Sequence, residues 1–213
     1  MEGDFDMSRK FYAFVAVIAC VCVIMGAVQA FAGVDSFLSG LARIYSLQRK
    51  ANNGDSDSQF ELGNIYRTGD GVNVDMKEAV KWYTLAADSG HDEAQYNLAQ
   101  MYRRGEGVSH DVTKAAELYA KSAKKGNADA QYNLAVMYYN GDGVERDLRR
   151  AFDWYMKAAI KGDAQAQYNL ALMYGRGEGV PENRKEAVIW LRMAARQGHK
   201  DAQEGLKILG EKW

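Results

Sequence analysis

Three copies of one nine-residue string, Ala-Gln-Tyr-Asn-Leu-Ala-x-Met-Tyr, stand at residues 94–102, 130–138 and 166–174, each displaced from the last by 36 residues. A period of that length means stacked supersecondary units that bury their apolar faces against one another, which restricts the architecture before any propensity is weighed. The glycines keep the same register without an insertion. Gly69, Gly105, Gly141 and Gly177 form one series, Gly71, Gly107, Gly143 and Gly179 a second, and Gly54, Gly90, Gly126, Gly162 and Gly198 close successive units. The units are therefore 53–90, 91–126, 127–162 and 163–198. The first is the most divergent, reading Gln59-Phe60-Glu61-Leu62-Gly63 where the others read Gln-Tyr-Asn-Leu-Ala.

Each unit predicts two helices, because apolar residues recur at three- and four-residue spacing on both sides of a Gly-x-Gly turn. In unit two Ala94, Leu98, Met101 and Tyr102 make one stripe, and Ala115, Leu118, Tyr119, Ser122 and Ala123 the other. Gly105 ends the first helix, where a left-handed residue is needed. Asp75, Asp111, Asp147 and Asn183 stand where the second helices start and can accept from the free first-turn amides. Glu78 and Glu186, three residues later, predict a capping box in units one and four. Repeated alanines let helices approach closely, while Trp82, Trp154 and Trp190 are placed to fill the space between units.

The repeated pattern, Ala-x-x-x-Leu-x-x-Met-Tyr, then Gly-x-Gly-Val-x-x-Asp, then Lys-x-Ala-x-x-Trp-Tyr-x-x-Ala-Ala-x-x-Gly, resembles the Sel1-like repeat (SLR) family, a relative of the tetratricopeptide repeats. The turn 69–75 and the segment 77–90 carry it most fully, and it extends over nearly all of the chain after the N-terminal segment. The resemblance implies an all-α, right-handed α-solenoid that serves as an adaptor or scaffold, most members not being enzymes. It departs from the cysteine-rich branch, since Cys20 and Cys22 are the only cysteines and neither lies in a repeat.

The ends read differently. Residues 33–52 predict an N-terminal capping helix, with Phe37, Leu38, Leu41, Ile44, Tyr45 and Leu47 at helical spacing, and 199–213 a C-terminal one built on Ala202, Leu206 and Leu209. Residues 11–28 contain no charged side chain, follow Arg9 and Lys10 and precede Ala30-Phe31-Ala32, the order of a secretory signal cleaved after residue 30 or 32. The run is also just long enough to be an uncleaved membrane anchor. The 17–20 segment, ending at Cys20, has lipobox form, and Met7 is a second candidate start. In either main reading the repeats face the periplasm or are secreted, and only residues 11–28, if uncleaved, touch a membrane.

Composition excludes several classes. Of 27 basic and 28 acidic residues, Arg9, Lys10, Glu2, Asp4 and Asp6 precede Gly33, leaving 25 of each sign, a balance that argues against nucleic-acid binding. No catalytic residue, cofactor or metal site is assigned. His91 and His199 occupy the helix-start slot that elsewhere holds Asn127 and Asp163, and His110 lies apart. Ser122-Ala123-Lys124-Lys125 has the Ser-x-x-Lys form of penicillin-recognising enzymes and leaves a β-lactamase-like hydrolase as a minor alternative. Against it, Ser122 takes a slot filled elsewhere by Ala86, Ala158 and Ala194.

The binding candidates lie on the first helix of each unit. At 100° per residue Tyr96 falls opposite Ala94, Leu98 and Tyr102, so Tyr96, Tyr132 and Tyr168 read as unused by the core stripe, with Asn97, Asn133 and Asn169 beside them. First helices line the concave surface of helix-pair solenoids, and Arg67, Arg103, Arg104 and Arg176 stand near its edge. Tyrosine contact area, asparagine amides and arginine forks suit an extended protein or peptide partner. The other reading is that these ladders only pack and hydrogen-bond between repeats. The expected protein is an exported scaffold, a monomer with the oligomeric state left open. It either engages host cells in virulence or regulates or binds peptidoglycan or its enzymes.

Overall fold

The computed structural model describes residues 28–213, with side chains described from Ser39 onward. Among them are ten helices and no strand: α1 Val28–Asn52, α2 Ser56–Thr68, α3 Met76–Asp88, α4 Asp92–Arg104, α5 Val112–Lys125, α6 Ala128–Asn140, α7 Leu148–Ile160, α8 Ala164–Arg176, α9 Arg184–Arg196 and α10 Lys200–Ile208. Helices pack against their sequence neighbours, so α2/α3, α4/α5, α6/α7 and α8/α9 form four stacked pairs between α1 and α10. The fold is an all-α solenoid of helix-turn-helix repeats. The leader or anchor expected within residues 1–32 lies mostly outside the described residues, and α1 runs unbroken from Val28 through residue 52. No helix among the described residues is long and apolar enough to cross a membrane.

Local chemistry explains why each helix starts where it does. Asp75, Asp111, Asp147 and Asn183 cap α3, α5, α7 and α9 through side-chain oxygens that accept first-turn amides. The capping boxes expected from Glu78 and Glu186 are only half present. The amides of Asp75 and Asn183, which those glutamates would have to satisfy, donate instead to the carbonyls of Tyr66 and Tyr174 at 2.9 and 2.8 Å. Glu78 pairs with Lys81 at 3.2 Å. The first helices α2, α4, α6, α8 and α10 open on Asp55, His91, Asn127, Asp163 and His199, each accepting from the amide three residues on.

Glycine makes the turns for two separate reasons. Gly69, Gly105, Gly141 and Gly177 end the first helices with φ of 78°, 70°, 84° and 68°, the left-handed region in which a side chain is strained. At Gly107, Gly143 and Gly179 a Cβ would also overlap the carbonyl oxygen of Met76, Val112 or Leu148, the first residue of the previous unit's second helix. Backbone there touches backbone across the unit boundary.

The core is a row of alanines bounded by large side chains. Ala79, Ala115, Ala151, Ala86, Ala158 and Ala194 have no exposed surface. Trp82 packs with Ile44, Leu47, Ala51, Leu62 and Ile65 against α1 and α2, Trp154 joins the clusters on both sides of it, and Trp190 does the same one unit on. The tryptophans thus fill the space between units as expected. On α1 Ile44 and Leu47 are buried, but Tyr45, expected in that stripe, is 47% exposed. On α10 Ala202 and Leu206 are fully buried.

A second ladder was not expected. Gln59, Gln95, Gln131, Gln167 and Gln203 each donate Nε2 to the carbonyl eight residues earlier, Ala51, Ala87, Ala123, Ala159 and Ala195, at 2.9, 3.0, 3.1, 3.0 and 3.0 Å. The first four are buried. Each adds a second hydrogen bond to a last-turn carbonyl of the preceding helix that already accepts from the closing glycine's amide, at 2.9 to 3.0 Å, and so ties one helix end to the next helix.

Candidate functional site

The face formed by successive first helices carries the predicted residues, and the structure shows what each one touches. Tyr96 lies against Tyr119 and Tyr132 against Tyr155, ring centroids 5.8 Å apart in both cases, and Tyr168 stacks on His199 at 4.6 Å. The three tyrosines are half-buried. They are therefore not surplus to the core, as the helical projection suggested, but close its outer edge with one side and face solvent with the other. The projection missed this because it placed them only against their own helix, whereas their contacts come from the second helix of the unit and the next unit's cap.

The asparagine ladder divides by position. Burial raises the Tyr83 phenol, and Arg67 and Asn97 oppose that shift. Asn169 acts in the same sense on Tyr132 and Tyr155, whose phenols burial also raises. Asn133 turns back to the carbonyl of Asp129 at 2.8 Å. The Tyr119 hydroxyl is left buried without a hydrogen-bond partner, and burial raises its phenol to about 12. Among the arginines, Arg67 Nε donates to the Tyr83 hydroxyl at 3.1 Å and Arg103 to Gln100 Oε1 at 3.2 Å. Arg104 and Arg176 stand 3.7 and 4.0 Å from Glu106 and Glu178.

Tyr132, Asn169 and Arg176 converge on one depression of about 300 Å³ between α6 and α8. Tyr155 and Met173 are its buried parts, Val136 and Leu172 are apolar walls, and Tyr139 donates to Glu178 at 2.9 Å on the rim. Tyr139 and Glu178 were not singled out by sequence: Tyr139 breaks the repeat where Arg67 and Arg103 stand, and Glu178 sits in the turn, in a slot that is acidic in every unit (Asp70, Glu106, Asp142). Tyr96, Asn97, Arg67, Arg103 and Arg104 lie on earlier helices of the face, while Asn133 on α6 and Tyr168 on α8 are not among the residues that line the depression.

The Ser-x-x-Lys pair is not assembled. Ser122 has no exposed surface, its Oγ has no partner, and the Lys125 ammonium donates to the Gly90 carbonyl. His91 and His199 accept amides through Nδ1 at 3.2 and 3.3 Å and stack on Phe60 and Tyr168. Among the described residues no group of His, Cys, Asp and Glu could hold a metal ion.

Stacked helix pairs with one periodic, partly open face define a helical-repeat interaction scaffold. A family model, the Sel1 repeat, matches residues 56–91, 92–127, 128–163 and 164–199. The chain belongs to the Sel1 repeat family, whose members mediate protein–protein interactions. Two solved structures are similar. One is c5321, a protective antigen present in uropathogenic Escherichia coli strains that displays an SLR fold, with TM-score 0.74 and 34% identity over 82% of this chain. The other is a Sel1 repeat protein from Oxalobacter formigenes, with TM-score 0.72 and 37% identity over 78% of this chain. The match spans 40% of the first and 48% of the second. A search of curated proteins gives no match.

Proposed function

We propose that this chain is an exported scaffold that binds a protein or peptide along its first-helix face, with the depression between α6 and α8 as the principal contact. The observation that carries the reading is the convergence there of Tyr132, Asn169 and Arg176 around apolar walls. Rigid aromatic surface supplies contact area, the amide addresses peptide groups and the guanidinium addresses carboxylates. Export rests on the charged start, apolar run and Ala-Phe-Ala of residues 9–32. Similarity to a protective antigen of a pathogen supports a surface or secreted location facing host cells over a murein-directed role.

The test is capture by the tagged full chain from envelope, medium and host-cell fractions, with Asn169→Ala/Arg176→Ala beside the wild type. Both positions are only half-buried or exposed, so the variant keeps the core. A protein retained by the wild type and lost by the variant supports the face as the binding surface, and retention by both places binding elsewhere. Separate fractionation of cells and medium tests export: a repeat region found in the cytoplasm overturns it.

A further inference from the structure

The steps of the first-helix face share one frame and differ in what fills it. One slot reads Asn64, Gln100, Val136 and Leu172 from unit one to unit four, and the slot nearly one turn later reads Arg67, Arg103 and Tyr139. Toward the N-terminal end the polar residues satisfy one another. The Tyr83 hydroxyl donates to Asn64 at 2.6 Å while accepting from Arg67, and Gln100 donates to the Tyr96 hydroxyl at 2.7 Å while accepting from Arg103. Toward the C-terminal end Val136 and Leu172 take the places of those amides, and the depression opens between them.

The charges divide by slot and not along the stack. Arg104 and Arg176 have carboxylates nearby, and Glu178 is held further by Tyr139. Arg67 and Arg103 bond only to neutral oxygens, and among the described residues neither has a carboxylate within ion-pair distance. Arg103 stands on α4 at the slot that Tyr139, a lining residue of the depression, takes on α6 one unit later.

We infer that the occupant of this face is an extended acidic segment carrying one large apolar side chain. That side chain, of leucine or phenylalanine size, enters the depression between Val136 and Leu172, and the carboxylates lie toward Arg103 and Arg67. An apolar wall excludes water from the anchor, and an arginine whose present partners are neutral gains most from a carboxylate. The inference rests on the reading that this face binds a peptide, and adds which peptide.

The experiment pans a random phage-displayed peptide library on the full chain, then measures the selected peptides as synthetic ligands by calorimetry. Enrichment of Asp or Glu beside Leu or Phe is expected. Affinity should fall about tenfold for Arg103→Gln, the size expected for one charge-assisted contact. Leu172→Lys should remove binding, while Leu85→Ser on α3 should leave it unchanged. Thermal midpoints measured in parallel separate lost binding from lost folding, and Arg103→Lys should recover part of the affinity if charge is the cause. Peptides that are neutral or basic, yet depend on Asn169 and Arg176, overturn the acidic-segment inference and leave peptide binding standing. No enrichment over an unrelated protein overturns both.

Discussion

Two tyrosines at the same slot of successive units have opposite environments. The Tyr83 hydroxyl is bonded to Asn64 and Arg67, while that of Tyr119 is buried with no partner. An unmet buried hydroxyl costs about 1–3 kcal/mol, and a made hydrogen bond contributes about 1 kcal/mol. Tyr119→Phe should therefore be neutral or raise the thermal midpoint, and Tyr83→Phe should lower it. Equal losses in the two would show that the Tyr119 hydroxyl is bonded in solution. The buried glutamines test the unexpected ladder. Gln131→Glu should cost more than Gln131→Met in urea unfolding, because a carboxylate cannot donate to the Ala123 carbonyl and would be buried against it. Their polarity hid them in the sequence: a glutamine beside the apolar stripe reads as surface until the last-turn carbonyl of the preceding helix is placed over it.

At the scale of elements, turns and caps were the most legible features, since they depend on residues close in sequence. The start residues of α3, α5, α7 and α9 and the left-handed ends of α2, α4, α6 and α8 follow from local amides and dihedral freedom alone. The role of the second glycine series is different. Gly143 and Gly162 both have positive φ, at 68° and 97°, but a Cβ at Gly162 meets open space while one at Gly143 overlaps the Val112 carbonyl. Gly162→Ala should cost about 1 kcal/mol for backbone strain. Gly143→Ala should cost clearly more, because units two and three must also move apart. Chemical unfolding of the two variants distinguishes them, and equal costs would mean that the boundary yields without penalty.

The whole molecule is held together by nearest-neighbour contacts, so its stability should respond most where one side chain serves two units. Trp154 belongs to the clusters on both sides of it, and Lys157 covers its open face at 3.7 Å. Trp154→Ala should cost about 3 kcal/mol and broaden the unfolding transition as the two halves uncouple. A sharp single transition with a small loss would show that the alanine rows, not the tryptophan, carry the coupling. Alkaline pH probes the stack as a whole. Burial raises the phenols of Tyr83, Tyr119, Tyr132 and Tyr155 above the usual value of 10.0, Tyr119 to about 12. The unfolded chain loses these protons first, so stability is intact below pH about 10 and falls between there and pH about 12. A urea midpoint that is flat across that window would contradict the burial of these rings.

What the sequence determined by itself was the period, the helix pairs, their caps, the family and the identity of the inter-unit tryptophans. Each is either a local property of the chain or a repetition visible without coordinates. The tertiary structure decided which periodic residues are shared between units. It took Tyr96, Tyr132 and Tyr168 from a free face into the edge of the core, buried the glutamines, and opened the face at only some steps. Repetition makes slots equivalent in sequence, but the space at each slot is set by residues from the neighbouring unit. Val136, Tyr139 and Leu172 form walls only because α6 and α8 stand side by side. No periodicity argument along one helix contains that distance.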